Sequence, residues 1–329
     1  MKKITIEELK NIKMEYKDKI NITDNPFGIE IEFASAPFNI VRDNLEKVLG
    51  YDPVVVSWNY KTKKIEDRTQ KWVLKNDSTV QDILNDLYRT KVGGEVNTPI
   101  MKNNKKYWKE LNLICDTLSK TKDIEINGNC SVHIHTSKTI YKVIQEYKNL
   151  FKLIMLYEDI AYKIGYGETN TVRPLLTRYA KPLSFHIYKH LDELERMETE
   201  KDIIRFIRFD RKHSFNFRNI ENIGKATIEN RIGNPTLNKI IIQNYVLFNN
   251  NFLNYAKIEN FDTEFIDYKI KQFEPIFLAE SLHDKPDKAI ELLDLITKNE
   301  LDQLYLLKQY LKAFNEHDIE KTFHLWYYH

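Results

Sequence analysis

Three short segments of this chain set pairs of chemistry-bearing residues two positions apart. In the first, Gly28-Ile29-Glu30-Ile31-Glu32-Phe33, carboxylates alternate with apolar side chains. Alternation is the period of a β-strand, so Glu30 and Glu32 would share one face about 6–7 Å apart. At an effective dielectric near 20, two such charges repel by about 2–3 kcal/mol, which a bound cation would offset. A solvated strand face is the plainer alternative. In the second, Asn127-Gly128-Asn129-Cys130-Ser131 reads as a turn that delivers His133-Ile134-His135 on a strand. Those two imidazoles could bind a metal, touch a phosphate, or pack half-buried. The third, Glu229-Asn230-Arg231, puts a carboxylate and a guanidinium on one face, as ligands or as a cross-strand ion pair. Arg173, Arg178, Arg211 and Arg218 add groups suited to bidentate recognition of phosphate or carboxylate. Asp77-Ser78 after Trp72, and Glu95 before Pro99, fall at strand ends. Hard oxygen ligands with one imidazole suit Mg²⁺ or Mn²⁺ held together with a phosphate. No GxxxxGK[ST] or GxGxxG segment is present, so a nucleotide would be held by metals and arginines on a sheet.

The elements that must position these residues can be read from periodicity. Strands are expected at 28–33, 53–58, 63–67, 71–75, 93–100, 130–136, 213–220 and 225–232. Helices are expected at 39–49, capped by Asn39 and closed by Gly50, at 105–120, and at 138–164, closed by Gly165. The first 25 residues read as an amphipathic helix with Ile4, Leu9, Ile12 and Tyr16 on one side. Everything after Pro235 looks mainly helical. Strict β-α alternation is absent, so the expectation is α+β with a largely antiparallel, curved sheet backed by helices. The implied organisation is an N-terminal helix over 1–25, a sheet domain over 26–235, and a helical region over 236–329 packed on that same domain.

Composition narrows the classes. Of 329 residues, 42% are hydrophobic and 12% aromatic, ample for a core. Lys+Arg 50 against Asp+Glu 48 leaves +2, which argues against a polybasic nucleic-acid or membrane module. Cys115 and Cys130 are too few for a disulfide framework or a cysteine-rich zinc site, and fit a reduced, cytoplasmic setting. The start carries charge but no apolar stretch typical of a signal peptide, and nowhere do 18 apolar residues run together. Glycine is scarce, 9 in all, and several sit beside the segments above: Gly28, Gly93, Gly94, Gly128 and Gly233.

The order of GIEIEF, W…NDS, GGEVNTPI, NGNCSVHIHT, TRYAKPL, RKHSFNF and TIENRIG resembles the phage and bacterial amidoligases. These belong to the glutamine synthetase and glutamate–cysteine ligase superfold of carboxylate–amine ligases. The resemblance spans Gly28 to Arg231. It implies a glutamine synthetase-like catalytic sheet, ATP with Mg²⁺ or Mn²⁺, and metal binding by Glu30, Glu32, Glu95, His133 and Glu229. It further implies His135, Arg211 and Arg231 near the nucleotide, Arg178, Arg211 and Arg231 as catalytic arginines, and Asp77, Ser78 and Arg173 on the substrate side. Two positions depart from the pattern: Ser131, where glycine is usual, and Asn230, where an apolar or aromatic residue is usual.

The activity so implied is amide formation through an acyl phosphate. The carboxylate would come from a small molecule, peptide or protein and be joined to an amine, with residues 165–175 as a covering flap. Three other readings stay open at this point. One is a phosphotransferase of the same superfold, one a zinc hydrolase using His133 and His135, and one a non-catalytic binding protein.

Overall fold

The computed structural model describes residues 4–56, 69–77, 80, 92–169, 179–208, 210–221, 226–274 and 285–314. Its centre is one sheet of seven strands: β1 (Phe27–Ala36), β2 (Val54–Val56), β3 (Val73–Asn76), β4 (Val92–Asn97), β5 (Val132–Ser137), β6 (Phe215–Asn216) and β7 (Thr227–Gly233). The spatial order is β2-β3-β4-β1-β5-β7-β6. All neighbours run antiparallel except β2 and β3, so the α+β, mostly antiparallel expectation matches a mixed sheet. β1 occupies the middle, with β4 on one side and β5 on the other.

The alternation in β1 does what period 2 requires. Ile29, Ile31 and Phe33 are each 1% exposed and belong to the main apolar cluster. On β5 and β7, Val132, Ile134, Asn230 and Ile232 face Ala161 and Ile164 of one helix and Tyr245 and Phe248 of another. Between them lies a cavity of about 10 Å³, roughly the space of one water. The carboxylates and histidines stand on the opposite face.

Eleven α-helices lie among the described residues, and four matter most here: α2 (Phe38–Leu49), α3 (Lys105–Lys120), α4 (Ile144–Gly165) and α8 (Lys239–Tyr255). α4 is buried nearly all round its circumference, the signature of a helix inside a core rather than on its surface. The helices after residue 236 pack on α4 and β5 and share one apolar cluster with the sheet. Among the described residues no helix is long and apolar enough to cross a membrane.

Several expected elements are shorter. The N-terminal helix, α1, covers only Ile6–Asn11, with a capping box between Thr5 and Glu8. Beyond it, side-chain amides satisfy the backbone. Gln243 bonds both the N–H and the carbonyl of Lys17, at 2.9 and 2.8 Å, and Asn103 does the same for Ile20, at 3.2 and 2.7 Å. A chain held this way has no need of helical partners, so the helix does not continue to residue 25. α2 starts one residue before its expected Asn39 cap, because the Pro37 carbonyl accepts the Ile40 and Val41 amides. Its end is as expected, at Gly50 with φ of 72°. The helix expected from 138 begins at Ile144, after a single tight turn over Lys138–Ile140. The strand expected over 213–220 is only two residues long. The Asn216 side chain accepts the Arg218 amide at 3.0 Å and turns the chain away. The strand expected at 63–67 lies outside the described residues.

Gly94 shows how tightly the middle of the sheet is packed. A Cβ there would lie 2.7 Å from the Lys75 carbonyl oxygen and 2.7 Å from Phe33 Cζ. Gly94→Ala is therefore expected to lower unfolding stability by about 1–3 kcal/mol, through overpacking beside the central strand. Urea denaturation of the two proteins checks this, and an unchanged midpoint would contradict it.

Candidate functional site

Antiparallel pairing about β1 converts separate sequence segments into one surface. Glu30 lies opposite His133, Glu32 opposite Glu95, Lys75 opposite Glu95, His135 opposite Glu229, and Asn216 opposite Glu229. Side chains directly opposite each other sit about 4.5–5.5 Å apart at Cβ, so the row brings polar groups of six strands into mutual reach.

The distances bear that out. His133 Nδ1 is 3.0 Å from Glu30 Oε1 and 3.4 Å from Glu229 Oε1, and His135 Nε2 is 3.6 Å from Glu30 Oε2. Lys75 Nζ donates to Glu95 Oε1 at 2.5 Å, and Asn97 donates to the same oxygen at 3.0 Å. Among the described residues, two groups have ligand atoms all within 4.8 Å of one another: Glu30, Glu32 and His133, and Glu32, Asp77 and Glu95. Glu32 belongs to both. Neither group contains both histidines.

Electrostatics follow from this crowding. Burial and then the neighbouring Glu30 charge push the Glu95 carboxyl well above the usual carboxylate range, against the opposing pull of Lys75. Burial also raises Glu30, but hydrogen bonds and charge from His133 and His135 outweigh it and hold Glu30 well below that range. Glu229 is likewise raised by burial and lowered overall, by His135, Arg231 and His133.

Glu229 has a further duty. Asn216 Nδ2 donates to its Oε2 at 2.6 Å, and Arg231 Nη1 donates to its Oε1. It does not fall within either three-residue group. Its visible work is to hold Arg231, whose Nε also donates to the Tyr179 carbonyl at 3.0 Å. That carbonyl lies in a segment fastened to α4. Tyr162 donates to the Ala180 carbonyl at 2.5 Å, and buried Glu158 accepts from the Leu183 and Ser184 amides at 2.8–3.0 Å and from the Ser214 hydroxyl. The Ser214 carbonyl in turn accepts the Arg231 amide at 2.8 Å.

The two sequence departures acquire structural roles. Asn230 faces the helices, and its Oδ1 accepts the Ile232 amide at 3.0 Å where the β5–β7 register shifts. Such a local side-chain bond satisfies an N–H that the ladder leaves over. Ser131 donates to Glu32 Oε2 at 2.5 Å and contacts His133 Nε2 at 2.7 Å.

Of the residues singled out by sequence, Glu30, Glu32, Asp77, Glu95, His133, His135, Glu229 and Arg231 share this face. Arg211 is exposed in the turn before β6, with no ion pair to the acidic groups among the described residues. Ser78, Arg173 and Arg178 lie outside the described residues, as does 170–175 of the expected flap. Lys75, Asn97 and Asn216 join the face without a sequence expectation; for Lys75 the alternation of KWVLK is an available signal. For Glu158 none was, because its partners lie 25 or more residues away. Both cysteines are buried and neither forms a disulfide among the described residues; Cys130 packs with Ala34 and Val80.

The model of a protein family described as "Putative amidoligase enzyme" matches residues 23–253, a span that contains all seven strands and every residue of this face. No curated protein and no solved structure matches the chain.

The raised Glu95 carboxyl has a testable sign. Its stability contribution is full below the unfolded value near 4.3 and is lost as pH rises from there toward the folded value. Each unit of that rise costs about 1.4 kcal/mol in the ion-free protein. Glu95→Gln cannot ionise and keeps an acceptor for Lys75. In EDTA it should therefore melt higher than the parent above about pH 5, with the gap closing toward pH 4. Melting curves from pH 4 to 8 decide; a lower melting point throughout would contradict it.

Proposed function

The chain belongs to this amidoligase family, and from that premise we propose that it is an ATP- and Mg²⁺-dependent carboxylate–amine ligase working through an acyl phosphate on a glutamine synthetase-like sheet. The observation that carries the reading is the pair of overlapping ligand groups, Glu30/Glu32/His133 and Glu32/Asp77/Glu95, hinged on Glu32. Oxygen donors in excess, buried or half-buried beside one imidazole, fit Mg²⁺ or Mn²⁺. The upward push on Glu95 comes first from burial and then from the Glu30 charge, against the opposing pull of Lys75. When bound, the divalent ions would neutralise the nucleotide's triphosphate and favour in-line transfer of its γ-phosphoryl group.

The chain's own groups supply the rest. Arg231, gripped by Glu229 and the Tyr179 carbonyl, would offer its guanidinium to the phosphoryl oxygens or the substrate carboxylate. Arg178, directly before Tyr179, and Arg211 would join it as charge grows on the γ-phosphoryl oxygens. His135, beside Glu30, would lie toward the nucleotide phosphates. A substrate carboxylate oxygen attacks the γ-phosphorus and ADP leaves. An amine nitrogen then attacks the acyl carbon, the C–O bond to phosphate breaks, and the nitrogen gives up a proton. The carboxylate belongs to a small molecule, peptide or protein, with Asp77, Ser78 and Arg173 on its side. Water must be kept from the acyl phosphate, a task proposed for residues 165–175. A soluble, cytoplasmic setting fits this chemistry.

Hydroxylamine trapping tests the reading. With ATP, Mg²⁺ and a panel of carboxylates, hydroxamate and ADP are expected together, and Glu32→Ala should reduce both by at least about 10²-fold. ADP with a stable phosphorylated product and no hydroxamate would identify a phosphotransferase. Hydrolysis that needs Zn²⁺ but not ATP would identify a hydrolase at His133 and His135. No binding of Mg²⁺–ATP by calorimetry at millimolar ligand would refute the proposal.

A further inference from the structure

Ser131, one residue ahead of β5 and 3% exposed, meets the acidic face through both backbone and side chain. Its carbonyl accepts the Glu32 amide at 3.1 Å. Its hydroxyl lies 2.5 Å from Glu32 Oε2 and 2.7 Å from His133 Nε2. A hydroxyl has one hydrogen and two lone pairs. The bond to Glu32 has the length of an O–H donor on a carboxylate and uses that hydrogen. A lone pair then faces the imidazole, so Nε2 is the ring nitrogen that carries hydrogen in this contact. The other nitrogen, Nδ1, is turned to Glu30 Oε1 at 3.0 Å and Glu229 Oε1 at 3.4 Å, a contact in which it also carries a hydrogen until a cation takes that place. The β7 ladder does not set this ring, because the β5–β7 register shifts between Val132 and Ile134.

We propose that Ser131 is a positioning residue of the site: one hydroxyl fixes Nδ1 as the nitrogen that His133 turns to a divalent cation and holds the Glu32 carboxylate in place beside it. This rests on the cation reading of the face given above. The hydroxyl stands where metal-ligating histidines characteristically have a carboxylate, carbonyl or water as acceptor for their second ring N–H, the contact that sets tautomer and ring orientation. A glycine or alanine here would leave both Glu32 Oε2 and His133 Nε2 without that partner. The ring could then turn or exchange tautomers, and the carboxylate could rotate.

The test uses the full chain with Ser131→Ala, Ser131→Gly and Ser131→Thr, the last retaining the hydroxyl. Ring-nitrogen NMR of His133 in the ion-free protein is expected to show hydrogen on Nε2 in the parent and in Ser131→Thr. The alanine and glycine variants should lose that single state. Mn²⁺ titrated without nucleotide should bind about 10–100-fold more weakly to alanine and glycine, with threonine close to the parent. Melting curves confirm that each variant is folded. Unchanged ring signals in both truncated variants, or Mn²⁺ affinity within about threefold of the parent, would overturn the proposal. If the parent itself binds no Mn²⁺, the cation reading falls on its own. The ring signals then decide separately whether Ser131 holds His133.

Discussion

Mutual repulsion among carboxylates in the middle of a sheet is the constraint that organises this protein. Glu30, Glu32 and Glu95 come from two neighbouring strands, and the last two are almost fully buried. At an effective dielectric near 20, unit charges 4–5 Å apart repel by about 3–4 kcal/mol. A fold of ordinary stability can hold such a group only if other interactions surround it. Here those are Lys75 and Asn97 on Glu95, Ser131 on Glu32, and the two histidines on Glu30. The cations in the set are few, and the pull they exert is unequal: Glu30 is held down while Glu95 is driven up. That imbalance is the ground for the divalent-ion site proposed above.

The apolar side of the sheet makes the polar side possible. Ile29, Ile31 and Phe33 anchor β1 in the core between and around the carboxylates, so the acidic residues cannot retreat by a register slip. A slip of one residue would turn Glu30 and Glu32 into the apolar cluster and the isoleucines out of it. α4 also reaches beyond the sheet. Through Glu158 and Tyr162 it fixes the segment whose Tyr179 carbonyl orients Arg231. The guanidinium is thereby aimed from two directions, by Glu229 on its own strand and by a loop tied to the core helix.

How much could be read beforehand differs by residue, for physical reasons. Glu30, Glu32, His133 and His135 announce themselves because period 2 assigns each pair to one face without knowledge of neighbours. α3 could be read to its ends, Lys105 and Lys120, since an Asn104 cap and a run of helical periodicity are local signals. The stretch after α1 could not, because the groups that hold it, Gln243 and Asn103, are 83 to 226 residues away in sequence. Glu229 and Arg231 were readable as a carboxylate and a guanidinium on one face, an ion pair among the alternatives, but the Tyr179 carbonyl that completes the grip on Arg231 was not, because it lies 52 residues away. Ser131 looked like a departure from pattern. Only the β1–β5 register places its hydroxyl between Glu32 and His133.

The sequence alone determined the alternating strands, the residue types that face away from the core, the principal helices, and the family to which the chain belongs. Local periodicity and short motifs are enough for each of these. The tertiary structure decided which carboxylate sits against which base and which glutamate two ligand groups share. It also decided that Glu229 and Glu158 serve Arg231, and which histidine nitrogen is turned to the acids. Those outcomes depend on strand order and register, set by long-range packing between segments that carry no record of one another in their spacing.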